Sequence, residues 1–327
     1  MFNRIFDLER LPITRRLVVE NPLTGAEGRH LLRTGIGRQL RLSWLLLAVV
    51  FGGLVAMIAI NFAVPIARLL PSAISVGDVE RAFIQIVELS AMAAVGLVLI
   101  QTALMTGIAP RLTSTTLARE KQGRTWEALI LTGIDARRIV WGKWAAVVLL
   151  LLRRHRTTLL LRPILWVWII AVGRWRGLLP ENASIGVLLT VVIALILAPV
   201  LSTALFAAYG MVASSWVASE TAASRLLGGL QVVVVLSVFA LFCVLTPVFS
   251  FSTENDMLLA LLAGTLLTTL DSGLIGLLFT FTPMDEAARL SYVGGVALWG
   301  ALTLAMTYGL LRVAVWSAVR AGASPRG

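Results

Sequence analysis

The chain has 327 residues, of which 58% are hydrophobic and 14% charged, and its mean hydropathy is +0.89. A soluble globular domain carries about 25% charged residues, so the composition excludes that class and predicts an all-α integral membrane protein. The excess of 28 basic over 17 acidic residues is assigned to Lys and Arg kept on the cytoplasmic side of a membrane, and not to nucleic-acid binding.

The N-terminal MFNRIFDLERLPITRR lacks the apolar core of a signal peptide, so this end is expected in the cytoplasm. Residues 1–42 read as a cytoplasmic segment and 43–327 as one transmembrane domain. Within 21–42, Thr24 and Glu27 have capping-box spacing, and Leu32, Ile36 and Leu40 recur every four residues among arginines. Two readings stand: an amphipathic helix lying among anionic headgroups, or the basic flank of a first span.

That span covers 43–64, with Trp44 at the interface, and 65–81 form an outer loop. A second span, 82–109, contains Glu88 and Gln101 and is expected to end at Pro110. A charged, glycine-punctuated stretch then runs from 110 to 144. Within it Thr125 can cap a short helix over 126–132, with Glu127 favourable in the first turn and Gly133 ending it. Asp135 is placed to cap the next helix. Residues 139–152 are apolar except for Gly142 and Lys143, but fourteen residues make only about 21 Å of helix. They are read as membrane-proximal, leading into a third span over 158–175, with Arg162 snorkelling inward; the alternative is two short spans.

A fourth span covers 184–214, bent at Pro199, and a fifth 226–246, where the single cysteine, Cys243, is a core residue. Residues 257–281 are apolar but interrupted by Asp271-Ser272-Gly273. This predicts a re-entrant hairpin, as against a full crossing. A last span covers 290–313. Six spans with both termini in the cytoplasm place 23 of the 28 basic residues inside, the sense the charge rule requires.

No GxxxxGK[ST] phosphate loop, HExxH pair, CxxC or GxSxG elbow occurs, so nucleotide binding through such a loop, zinc and serine-hydrolase chemistry are not expected. Glu88, Gln101 and Asp271 are the polar groups at membrane depth and are candidates for lining a cavity.

At Glu120-Lys121-x-Gly123-x-Thr125-x-Glu127-x-Leu129-x-Leu131-Thr132, followed by Ile139-Val140-x-Gly142-Lys143, the chain resembles the permease subunits of ABC type-2 transporters. That family carries E-[KR]-x-x-G-T-x-E-x-L-x-x-[TS] and then [IV]-x-x-G-K between its second and third spans. Here Arg124 interrupts the Gly-Thr pair. Asn21-Pro22 and Glu27, the six spans and the hairpin also resemble the family's layout, while the motif itself covers about 25 residues.

The resemblance implies that the short cytoplasmic helix is a coupling helix docking on a separate ATP-binding-cassette ATPase. Two permeases, identical or related, and two ATPases then form an exporter in the cell membrane. ATP is used by the partner, and the permease itself binds no cofactor and performs no covalent chemistry. Coupling residues on this reading are Glu120, Lys121, Gly123, Arg124, Thr125, Trp126, Glu127, Leu129, Ile130, Leu131, Thr132, Gly142 and Lys143. Trp126, Leu129 and Ile130 would be the docking anchors, although Trp126 also suits an interfacial belt. Lys121 and Arg124 either steer the ATPase or are plain inner-face charge. Gly142 would permit close backbone approach, and Lys143 would snorkel. The mostly apolar spans favour a lipidic or amphiphilic cargo. Two rivals remain: a membrane-embedded enzyme using Glu88 or Asp271, and a scaffold without transport.

Overall fold

The computed structural model describes residues 22–33, 76–123, 125–131, 134–175, 185–217, 219–229 and 286–323. These hold six helices in chain order: α1 (Pro22–Arg33), α2 (Val76–Gln122), α3 (Thr125–Leu131), α4 (Ala136–Trp175), α5 (Ile185–Trp216) and α6 (Glu286–Ala323). Residues 220–229 are also helical, and no strand occurs among the described residues. The span expected at 43–64, most of that at 226–246, and the 257–281 segment with Asp271 lie outside the described residues.

The helix α5 is the hub, packing on α2, α4 and α6. Its sequence explains this, because residues 185–216 carry no charged side chain and every face of the helix can be buried. Two stretches, Val192–Trp216 and Gly300–Arg320, are long and apolar enough to cross a membrane by length and composition. They differ in setting. Half of the first is buried, but only 28% of the second. Leu302, Leu304 and Met306 of α6 therefore face outward, as suits a helix in contact with lipid.

The seam between α2 and α5 is built from small residues and hydroxyls. Thr113 Oγ1 lies 2.8 Å from the Ala207 carbonyl across the seam and 3.1 Å from the Ala109 carbonyl of its own helix. One step on, Ser214 Oγ accepts from the backbone N–H groups of Leu117 and Ala118, both at 2.9 Å. Gly210 sits between these contacts, and a Cβ there would meet Thr113 Oγ1 at 2.1 Å and the Pro110 carbonyl at 2.3 Å. Only a missing side chain lets the two backbones approach this closely.

Three boundaries differ from expectation. Pro110 does not end α2, which continues twelve residues beyond it to Gln122. The proline removes one backbone donor, and packing against α5 holds the helix together at this point. At its other end α2 begins at Val76, inside the expected outer loop. Finally, α4 runs unbroken through Arg153–Arg156 and Pro163 for 40 residues, about 60 Å.

Gly210→Ala is expected to destabilise the protein by about 1–3 kcal/mol through overpacking. Gly107→Ala, where an added Cβ meets nothing within 4 Å, is expected to be neutral or slightly stabilising. Thermal unfolding in mild detergent, followed by tryptophan fluorescence, separates the two.

Candidate functional site

The charged stretch after α2 folds around one buried lysine. Lys143, in the second turn of α4, has 2% of its side chain exposed. Its Nζ lies 3.0 Å from Glu27 Oε2 on α1 and 2.8 Å from Glu120 Oε1 near the end of α2. The other oxygen of each carboxylate is also satisfied. Arg119 Nη2 donates to Glu27 Oε1 at 3.1 Å, and Thr125 Oγ1 donates to Glu120 Oε2 at 2.7 Å. Two cations and two anions thus close a neutral lattice joining α1, α2, α3 and α4. Such a site is tolerable only with this degree of satisfaction, because each unpaired buried charge costs several kcal/mol.

Three of the expectations for these residues are corrected. Lys143 does not snorkel: it is buried with both carboxylates in reach, and its stem has no need to extend to water. Thr24 and Glu27 form no capping box, because both lie inside α1. The Thr24 hydroxyl instead donates to the Gly142 carbonyl at 3.2 Å, which seats α1 on α4. Thr125 is the first residue of α3 rather than the residue before it, and its hydroxyl bonds Glu120 instead of capping. Asp135 does cap α4, its Oδ1 accepting from Arg137 N–H at 3.1 Å.

The short helix is oriented by its apolar residues. Trp126 is 4% exposed and packs in the cluster containing Leu117, Ile139, Val140, Met211 and Leu311. It is a core plug, neither a docking anchor nor a belt residue, and Leu129 packs half-buried against the same cluster. The apolar tip left outside is Ile130, 37% exposed, and Leu131, 86% exposed. Lys121 donates to the Ser215 carbonyl in the last turn of α5, where a helix C-terminus favours a cation. This tie fastens the end of α2 to the end of α5. At Gly123 the backbone N–H donates to the Arg119 carbonyl at 2.8 Å. An added Cβ there would meet that carbonyl at 3.3 Å. The side chains of Glu88 and Glu127 and the residues Arg124 and Thr132 lie outside what is described.

A second polar clamp joins α2 to α4. Arg162 is fully buried. Its Nη2 donates to Thr102 Oγ1 at 2.6 Å, and its Nε and Nη2 each lie 3.4 Å from Gln101 Oε1. Arg162 therefore does not snorkel, and Gln101 is held in a buried polar contact with it. The two clamps share one register: Glu120 and Gln101 are 19 residues apart on α2, as are Lys143 and Arg162 on α4. An antiparallel helix pair is pinned at two points about 28 Å apart.

Sequence reasoning missed Arg119, Thr102 and the role of Glu27. Glu27 had a visible signal, being the one acidic residue in a stretch, 21–42, that is otherwise basic and apolar. Burial pushes the Glu120 carboxyl up, but the Lys143 charge and hydrogen bond, with Thr125 and Arg119, outweigh burial and hold it below its ordinary value of 4.5. It stays ionised near neutral pH and has no proton to give. The chain matches no protein-family model and no curated protein.

Lys143→Met should destabilise by about 3–5 kcal/mol, since it leaves two carboxylates facing each other. Adding Glu27→Gln and Glu120→Gln should recover most of that loss. A depressed carboxyl pKa gives stability that is present above the unfolded value and lost as pH falls through the folded one. The melting-temperature gap between wild type and Glu120→Gln should therefore be full above pH 4.5 and shrink below it. A gap that stays constant through that range would count against the ion pair.

Proposed function

We propose that the chain is the membrane-spanning subunit of an ATP-binding-cassette exporter, driven by a separate ATPase. In this reading six spans place both termini in the cytoplasm, 257–281 form a re-entrant hairpin, and a second permease chain completes the transport path. The observation that carries the proposal is the way α3 is held. Seven residues are too few for a helix to persist alone in water. Yet this one is fixed from beneath by Trp126 and from the side by the Glu120–Thr125 contact, while Ile130 and Leu131 stand exposed at its end.

A rigid knob with an apolar tip suits docking in a groove of a soluble partner. The motif residues then divide into two sets. Glu120, Thr125, Gly142 and Lys143 hold the knob and its base, and Ile130 and Leu131 meet the ATPase. Movement of the ATPase would enter the bundle through α3, and the lattice would pass it to α1, α2 and α4. This gives the family-like motif a physical reason at each of those positions, including the long gap between Glu120 and Lys143. The cargo reading stays as composition has it, lipidic or amphiphilic.

Ile130→Asp with Leu131→Asp should abolish co-purification of an ATP-binding-cassette ATPase with the tagged chain from its native host. The melting temperature should be nearly unchanged, as both side chains are exposed. Trp126→Ala should do the reverse of a surface change and lower stability by about 3–5 kcal/mol. Recovery of no such ATPase with the well-folded wild type would sink the transporter reading and favour a scaffold.

A further inference from the structure

On α6, Leu304, Tyr308, Arg312, Trp316 and Arg320 follow one another at intervals of four, so they form one gently winding stripe. All five are exposed. Arg312 Nε donates to Tyr308 Oη at 2.8 Å, with its Cζ 5.2 Å from that ring's centroid. One turn on, Arg320 Cζ lies 3.7 Å from the centroid of Trp316. Both guanidinium groups are thus oriented on aromatic rings, with N–H donors left over. Neither makes an ion pair among the described residues, and the sequence has no acidic residue from 287 to 327.

Depth along the helix gives the stripe its meaning. The Gly300–Arg320 stretch ends in the segment holding both arginines, so the hydrocarbon-spanning part of α6 is set by the uncharged run that overlaps it: residues 290–311 carry no charge, and 22 residues of helix span about 33 Å, close to the ~30 Å hydrocarbon core. Arg312 then falls where the core ends, and Arg320 lies about 12 Å further along. The stripe is apolar toward the bilayer centre, at Leu304 and the Tyr308 ring, and basic toward water. That is the polarity of an anionic phospholipid, with acyl chain inward and phosphate outward. Trp216, exposed beside the stripe with its Nε1 donating to Ser317 Oγ at 3.0 Å, adds an aromatic wall at headgroup level.

We propose that this stripe is a binding site for an anionic phospholipid, whose phosphate takes two N–H donors from Arg312 or bridges Arg312 and Arg320. The inference needs α6 to cross the membrane and does not depend on the transporter reading or on which face the C-terminus occupies.

The test is native mass spectrometry of the full chain in mild detergent, titrated with phosphatidylglycerol and, separately, with phosphatidylcholine of the same acyl chains. The wild type should retain phosphatidylglycerol in preference. Arg312→Gln with Arg320→Gln should weaken that retention roughly tenfold or more, while Arg312→Lys with Arg320→Lys should keep part of it, as the charge survives without the forked geometry. Arg111→Gln with Arg137→Gln removes two exposed charges elsewhere and should leave retention intact. Excess inorganic phosphate should fail to compete, since it lacks the acyl chain. An equal taste for both lipids in the wild type, or equal loss in the two Gln pairs, overturns the site. A change of oligomeric state in place of lipid retention would assign the stripe to a second copy of the chain, and would overturn it too.

Discussion

A lysine with 2% of its side chain exposed fixes the geometry of everything within reach of it. Burying its ammonium is tolerable only where carboxylates come to it, and these arrive from residues 116 and 23 positions away in the chain. Once Glu27 and Glu120 are bound to Lys143, the register of α1 on α4 and of the end of α2 on α4 is determined. Arg119 and Thr125 then take the remaining carboxylate oxygens, and α3 must leave α2 at the angle that lets Thr125 do so. Replacing the whole lattice with apolar groups would not obviously weaken the fold. What such groups lack is directionality: a charge pair admits one register, where an aliphatic contact admits several.

The rest of the bundle is held by a different device. Along the α2–α5 seam the contacts are Thr113, Gly210 and Ser214, and a polar hydrogen on one helix meets a backbone group or hydroxyl on the other. In an apolar surrounding there is little hydrophobic gain in bringing two apolar helices together, so close backbone approach and interhelical hydrogen bonds supply the attraction. Trp144 repeats the device, its indole N–H donating to the Ala204 carbonyl at 2.9 Å. The hub helix α5 thus needs no charge of its own; its neighbours bring the donors.

Composition alone made the helical class legible, and the start of α4 was legible from Asp135 as its cap. The partners were not. Glu27 stands three residues after a threonine, and local spacing offered a capping box before it offered a lysine more than a hundred residues away. Trp126 was misread because an aromatic in a short helix between apolar segments has the same sequence signature whether it faces inward or out; only the packing of Leu117, Ile139 and Met211 around it decides. Pro110 looked terminal because its effect on its own helix is local, whereas the contacts that carry α2 past it come from Ala207 and Gly210 on another helix. Arg162 was placed near the surface by the cost of burying a cation, and Gln101 and Thr102, which lower that cost, lie about sixty residues upstream.

One regularity was present in the sequence and is recognisable only with the structure. The intervals Gln101 to Glu120 and Lys143 to Arg162 are equal, and in antiparallel helices equal intervals bring both pairs into contact together. Two clamps at the ends of a shared length remove the freedom that one clamp leaves: α2 and α4 can neither slide nor pivot about a single point without breaking a buried charge contact. On the transporter reading this matters more than any single residue of the docking tip. A push delivered through α3 at the Lys143 end reaches the Arg162 end with little loss, because α4 is an unbroken helix between them and α2 is pinned beside it. The pair would move as one lever, and conformational change would have to be taken up elsewhere, along seams such as α5–α6 that hold no buried ion pair among the described residues.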